Sequence, residues 1–447
     1  MGGQLISLTV PMIWGIAALM SLNVVDTWFV AQLGEKELAA MSFTFPVTFT
    51  LVSLGIGLMA GTASVISRVL GRGDLARVRR LTTDASVLGT ILALALSLVG
   101  LLTIDALFLA LGAGPDILPL IRDYMVTWYA GFFFFLVPMV GLGAVRATGD
   151  SPLQSRIMIA SALANLVLDP LLIFGLGGFP RMELQGAALA TVIARALGFA
   201  AGYWALHFRK RLITYEIPGA AEFVSSCRQV LHVGLPAAGT NMIIPLATAV
   251  VVALLARHGP NAVAGFGAAT RIEQIVLVPY FAMSSMIGPF VGQNLGAGKY
   301  HRIERALAIS AAFCLVSGLV IAVVLAASAA FLMRQFADHP EVIDSGVMYL
   351  WIVPVSFGMA GMVMVINAAF NGLGRPLPAV AVSSLRMVVL YVPLAWLLAA
   401  WMGVAGVFAA AALANVLSGA AAWLWFRRVC RGYGATAAGG EATGTST

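Results

Sequence analysis

The run LGRGDLARVRR at residues 70–80 returns 225 positions later as LGAGKYHRIER at residues 295–305. The copies share Leu70/Leu295, Gly71/Gly296, Gly73/Gly298, Arg77/Arg302 and Arg80/Arg305. Carried outward, the same shift pairs Pro11 with Pro236, Ala31 with Ala256, Gly34 with Gly259 and Ala39 with Ala264. Further on it pairs Tyr124 with Tyr349, Phe132 with Phe357 and Gly149 with Gly374. The chain is one module written twice. Membrane transporters are often built from two such repeats, with the substrate path between them. Positions where the copies differ are then where one half does work that the other does not.

Composition supports a membrane setting. Of 447 residues, 60% are hydrophobic and 10% charged, whereas a soluble globular chain carries about a quarter charged residues. Mean hydropathy is +0.96. Apolar runs long enough to cross a bilayer as helices, roughly twenty residues each, recur along the whole chain. They are apolar on all sides, which excludes the alternating pattern of barrel strands. Read between turn signals, the spans fall at 5–31, 42–68, 82–111, 120–146, 153–176, 184–207, 228–256, 264–293, 303–333, 343–371, 377–401 and 404–427. The expected fold is an all-α integral membrane protein with twelve transmembrane helices in two six-helix bundles. Six spans return the chain to its starting side, so the bundles should be related by a pseudo-two-fold axis along the membrane normal. The expected divisions are a first bundle over 1–207, a linker over 208–227, a second bundle over 228–431 and a disordered tail over 432–447. The tail is mostly Gly, Ala, Thr and Ser, with too little apolar surface to fold.

Orientation follows from the loops. Nineteen of the 26 Lys and Arg residues, Arg386 counted among them, fall on one side, and Lys36, Arg122, Arg181, Arg257 and Arg334 on the other. Positive residues collect on the cytoplasmic side. A multi-pass protein of the bacterial inner membrane, with both termini cytoplasmic, is expected. The basic residues form no continuous face, so no nucleic-acid partner is expected. Three cysteines, one of them mid-helix at Cys314, imply no disulfide framework.

Ionisable residues deep in a span are costly and point to function. Asp26 in the first span and Asp169 in the fifth each lie eight residues before an outer glycine, Gly34 and Gly177. Each is thus roughly 12 Å in from a helix end. Asn23 precedes Asp26 by three residues and Asn165 precedes Asp169 by four, spacings that share a helix face. Thr191 reaches the same depth in the sixth span. Such a group can bind a proton, because a carboxylate in low dielectric with a second one nearby holds a proton more readily. Its oxygens can equally cage sodium, with Asp26, Asn165 and Asp169 as ligands. The competing reading is structural: Pro170 follows Asp169 directly, and polar side chains can serve a proline kink. Arg195, near the middle of the sixth span, is a candidate for tuning the charge of this group. Glu273 in the eighth span is a candidate contact for a cationic substrate or a balance for Arg271.

Catalytic and nucleotide motifs are missing. No His or Cys spacing suggests a metal, and the two glycine turns carry no Walker pattern. No cofactor, nucleotide partner or enzymatic activity is expected, and any transport must draw on an ion gradient.

Several stretches together resemble the multidrug and toxic compound extrusion (MATE) family over essentially residues 1–431. They are VDTWFVAQLGEKELAAMSF at 25–43, ATGDSPL at 147–153, GLPAAGTNM at 234–242, RIEQ at 271–274 and VGQNLGAGKYHR at 291–302. Asp26 with Asn165-Leu166-Val167-Leu168-Asp169-Pro170 resembles the DNA-damage-inducible (DinF-like) branch, in which Thr191 stands where a hydroxyl is common. The NorM-like branch places acids in the seventh and tenth helices. Here the corresponding places hold Pro245 and the neutral Asn367 and Asn371. The resemblance implies a monomeric secondary-active antiporter that exports small organic, often cationic, compounds against proton or sodium flow by alternating access. Protons are favoured, since Arg195 works against a second cation. Two rival expectations are a lipid-linked oligosaccharide flippase of related architecture and a non-transporting membrane receptor or enzyme. The first would need more helices and a more cationic cavity, the second an appended domain or a catalytic constellation. The shift leaves Asp26 opposite Val251, and a two-residue slip leaves Asp169 opposite Val392. Ion coupling is therefore expected in the first half only.

Overall fold

A computed structural model describes residues 2–442, with side chains described to Arg431. The first repeat supplies α1 (Gly2–Ala31), α2 (Glu35–Gly71), α3 (Leu75–Ala110), α4 (Leu118–Ala130), α5 (Phe132–Ala147), α6 (Ser151–Phe174) and α7 (Glu183–Trp204). The second supplies α8 (Ala220–Ala256), α9 (Pro260–Val276), α10 (Val278–Gly296), α11 (Tyr300–Arg334), α12 (Pro340–Ile352), α13 (Phe357–Gly372), α14 (Pro376–Ser384), α15 (Val392–Met402) and α16 (Val404–Ala442). Among the described residues, 10 helices are long and apolar enough to cross a membrane, and two bent pairs bring the number to 12. These spans coincide with the expected ones to within a few residues at most ends.

The bends differ between the repeats. α4 and α5 meet at 45° around Gly131, and α9 and α10 meet at 47° around Leu277. Pro279 explains the second break, because it has no N–H to continue the helical ladder. The corresponding stretch of the first repeat lies inside the unbroken α2.

The repeated glycines are turn residues. Gly73 and Gly298 have φ of 81° and 68°, and Gly149 and Gly374 have 77° and 74°. Each ends a helix in the left-handed region, where a Cβ is penalised. After the first turn Asp74 caps α3, accepting from the Arg77 N–H at 2.9 Å. Lys299 holds that place in the second copy and makes no side-chain cap.

Contacts divide the chain into two compact units, one of Pro11–Ala238 and one of Met1–Val10 with Gly239–Thr447. The first packs Val30, Leu58, Phe108, Phe132 and Val230 into its core. The second packs Leu5, Tyr280, Phe357, Phe370 and Phe408. Small residues let helices approach closely in lipid. A Cβ on Gly57 of α2 would lie 2.3 Å from the carbonyl oxygen of Gly234 on α8. In the other unit a Cβ on Gly318 of α11 would lie 2.4 Å from the Gly358 nitrogen on α13.

Three expectations need correction. The connection between the repeats is shorter than 208–227: a π-helical turn, Ala205–Arg209, extends α7, and α8 already begins at Ala220. The start of α8 is held by Arg77, which donates to Glu222 at 2.7 Å and to Ser226 at 3.3 Å. The remaining stretch is tied to α3, with Thr83 Oγ1 donating to the Thr214 carbonyl at 3.1 Å and accepting from the Thr214 N–H at 3.0 Å. Arg80 adds a bond to the Glu216 carbonyl. In the tail expected to be disordered from 432, the backbone continues α16 through Ala442, and 443–447 lie outside the described residues. Arg386 is in no loop. It lies ten residues into the span Pro376–Met402, within a π-helical stretch, Leu385–Tyr391.

Candidate functional site

α6 and α7 pack antiparallel, and their polar residues meet across the contact. Ser161 Oγ donates to the Ala194 carbonyl at 2.9 Å. One turn on, Thr191 Oγ1 donates to Asn165 Oδ1 at 3.5 Å, the outer limit for such a bond. Asn165 Nδ2 then donates to Asp169 Oδ1 at 2.6 Å. Asn165 and Asp169 are both buried. The second carboxylate oxygen, Asp169 Oδ2, is buried and has no hydrogen-bond partner. Asp26 on α1 is half-buried, and its Oδ1 is likewise buried without a partner. The charge of Asp26 acts on Asp169, and both acids act on the buried Tyr124 of α4.

Four helices of the Pro11–Ala238 unit thus bring Asp26, Tyr124, Asn165, Asp169 and Thr191 together. Asn23 is exposed; its carbonyl accepts from Thr27 Oγ1 at 2.8 Å. Among the described residues no hydrogen bond joins its side chain to the acids. Two unpartnered carboxylate oxygens in a buried setting are costly, and a proton or a hard cation would satisfy them. Among the described residues no group of three His, Cys, Asp or Glu is placed to hold a metal ion.

Arg195 lies one turn from Thr191 on α7. Its guanidinium carbon sits 5.1 Å from the centroid of the Phe135 ring, within range of a cation–π contact. Among the described residues it makes no ion pair. A half-buried arginine resting on an aromatic face offers a positive charge beside a flat apolar surface.

The second repeat contains a polar group that sequence reasoning left incomplete. Tyr349 Oη on α12 donates to Glu273 Oε2 on α9. Arg386 and Tyr391, from the π-helical stretch, are close enough for the Glu273 charge to act on them. Arg386 was counted in a loop and Tyr349 was noted only as a repeat match. The pairing of Tyr124 with Tyr349 was the signal available, since each tyrosine stands beside an acid within the spans. The Arg80–Asp84 pair was also missed. It is closed at 2.6 Å, with the Asp84 side chain 1% exposed.

The MatE family model matches residues 11–171 and 236–397, two copies whose starts lie one repeat apart. The chain is similar to a FAD transporter of Shewanella oneidensis, 38% identical over 98% of this chain and 97% of the relative. It is 26% identical to the probable multidrug resistance protein YpnP of Bacillus subtilis, over 95% and 94% of the two chains. Among solved structures, the Vibrio cholerae MATE transporter VcmN in its bent form is 31% identical and superposes with a TM-score of 0.91, covering 97% of each chain. With its two apolar bundles and buried acids, the chain is a membrane transporter rather than an enzyme, and it belongs to the MATE family.

Proposed function

We propose that this transporter is a proton-coupled antiporter of the bacterial inner membrane, with both termini cytoplasmic, and that Asp26, Asn165 and Asp169 bind the coupling ion. One observation carries this reading: Asp26 Oδ1 and Asp169 Oδ2 are buried without partners in one polar group. Two carboxyl groups that feel each other's charge favour sharing a proton. Binding and release of that proton gives the two access states different energies, which is the requirement for driving transport. Thr191 supports Asn165, and Asn23 takes a peripheral place. Sodium on the same oxygens is the alternative. The positive bias of the loops supports the orientation, and moving Arg386 into a span leaves that bias in place.

For the substrate we favour a flavin nucleotide. The similar FAD transporter suggests it, and Arg195 on the Phe135 ring suits an aromatic anion better than a cationic drug. This reading replaces the expectation that no nucleotide is involved. The multidrug relatives support organic cations as the second class.

The test uses the purified protein in proteoliposomes with an imposed pH or sodium gradient, following FAD and a cationic dye separately. A pH gradient is expected to drive FAD export. Asp26→Asn and Asp169→Asn should each lower it at least about tenfold, the loss of roughly 1.4 kcal/mol of coupling. Full gradient-driven export by both variants would refute the assignment of the site. Drive by sodium alone would transfer it to that ion, and dye export without FAD export would refute the substrate.

A further inference from the structure

We propose that Glu273, Tyr349 and Arg386 form a second proton-exchange site, located in the unit of Met1–Val10 and Gly239–Thr447. It rests on the reading of this protein as proton-coupled.

The two repeats build polar groups from equivalent places. In the first, Tyr124 stands beside Asp26 and Asp169. In the second, its repeat partner Tyr349 donates to Glu273 Oε2. With the two-residue slip that aligns Pro393 with Pro170, the stretch 385–391 falls on 162–168, which carries Asn165 and ends just before Asp169. The first repeat is α-helical there. The second has switched to a π-helix, Leu385–Tyr391, a form that occurs often at functional sites. Equivalent spans thus supply a tyrosine and a distorted or amide-bearing segment in both halves. Only the acid comes from a different place: Glu273 aligns with Thr48 of α2 under the 225-residue shift.

Within this group the charges are not closed. Among the described residues no ion pair within bonding distance joins Glu273 to Arg386, and Arg386 Nε is buried without a partner. The charged or titratable groups acting on or acted on by Glu273 are Tyr349 from α12 and Arg386 and Tyr391 from the π-helical stretch. Arg271 on the same helix is exposed. With Glu273 ionised, the acid and Arg386 sum to zero and the Tyr349 hydroxyl holds the carboxylate. When Glu273 takes up one proton, the carboxylate becomes a carboxylic acid and Arg386 is left as net positive charge. The proton comes from and returns to water, so nothing else is consumed. The bend at Leu277 lies one turn beyond Glu273 and has no counterpart in α2. It gives the second repeat a joint beside its acid.

The test is an acid–base titration of the purified full-length protein in detergent, followed by infrared difference spectroscopy of the protonated carboxyl band. The Asp26→Asn/Asp169→Asn variant is expected to retain a titrating carboxyl band from Glu273, and adding Glu273→Gln should abolish that band. Tyr349→Phe, which keeps the ring and its packing, should move the midpoint of that carboxyl by about one pH unit, the size of one charge-assisted hydrogen bond. A merely structural tyrosine would leave the midpoint in place. The proposal is overturned if the triple variant titrates like the double, or if Tyr349→Phe leaves the midpoint unmoved. Should Glu273→Gln fail to fold, the Tyr349→Phe comparison decides alone. These readings need no transport, so they stand apart from failure of the Asp26 and Asp169 assignment, which is read as retained export.

Discussion

Asp84→Ala removes the acid that holds Arg80 inside the first unit. Arg80 donates to Asp84 Oδ1 through Nε at 3.0 Å and through a terminal nitrogen at 2.6 Å. The two side chains are 10% and 1% exposed, so water reaches neither easily. With alanine in place of the acid, two guanidinium donors lose their acceptor at about 1–3 kcal/mol each. Truncating one member of a buried pair costs about 3–5 kcal/mol overall. Arg80 keeps its bond to the Glu216 carbonyl, which places the expected loss near the lower end, about 3 kcal/mol. The double variant Arg80→Met/Asp84→Leu removes the stranded charge and should recover most of that loss. The assay is denaturant unfolding of the detergent-solubilised protein, read by tryptophan fluorescence. Limited trypsin digestion runs beside it; cleavage at Lys210 should be unchanged, because Arg80 still holds the Glu216 carbonyl. An Asp84→Ala variant within about 0.5 kcal/mol of wild type, the range of an ordinary surface substitution, would refute the reasoning. So would a double variant no more stable than the single one.

Asp150 caps α6 outside the spans. Burial alone would raise its carboxyl, but the Lys210 ammonium at 2.7 Å, the Leu153 N–H at 3.1 Å and nearby Arg209 outweigh it and hold the group below the usual carboxylate range. A depressed group stabilises the fold above its unfolded value, about 3.9, and loses that contribution as pH falls through the folded value. Asp150→Asn should therefore be less stable than wild type at pH 7, with the gap closing on acidification; thermal unfolding across that range checks it, and a widening gap contradicts it. Gly57→Ala should destabilise by about 1–3 kcal/mol through overpacking, because its Cβ meets the Gly234 backbone. Gly202→Ala meets nothing within 4 Å and should gain up to about 1 kcal/mol of helix propensity; equal unfolding midpoints for the two would contradict both. Asn165→Ala strips Asp169 of its one described side-chain donor and should weaken gradient-driven export about tenfold, measured in the same vesicles as the acids.

The spans were legible because lipid demands long apolar helices, and the repeat was legible because helix-ending glycines tolerate little else. Asp26, Asn165 and Asp169 stood out as polar residues among apolar ones, and the fold does bring them together. Arg386 already lay nine residues inside the expected span 377–401, so counting it with the loop residues conflicted with that span. What no local pattern announces is the π-helical form of the stretch around it, Leu385–Tyr391. Arg80 and Asp84 stand four residues apart on a helix, a spacing that allows a pair without telling a buried one from an exposed one. The 210–219 connection returns onto α3 beside them, through Arg80 to Glu216 and Thr83 to Thr214, and that is a tertiary event. Asn23 shared the spacing of a site residue but is exposed, since a three-residue interval restricts the face without choosing its direction.

The divided helices carry a further consequence. Gly2–Val10 of α1 belongs with one unit and the rest of that helix with the other, and α8 divides in the reverse sense at Gly239. The two cuts fall within three residues of the repeat-related Pro11 and Pro236. The unit of inheritance and the unit of packing are therefore different objects. A single module expressed alone would leave gaps where Leu5 and Leu8, or Val230 and Leu231, complete a core. It could fill them only by exchanging its first helical turns with a second copy, as a domain-swapped dimer. The present chain is that exchange made intramolecular by ten residues of connecting backbone.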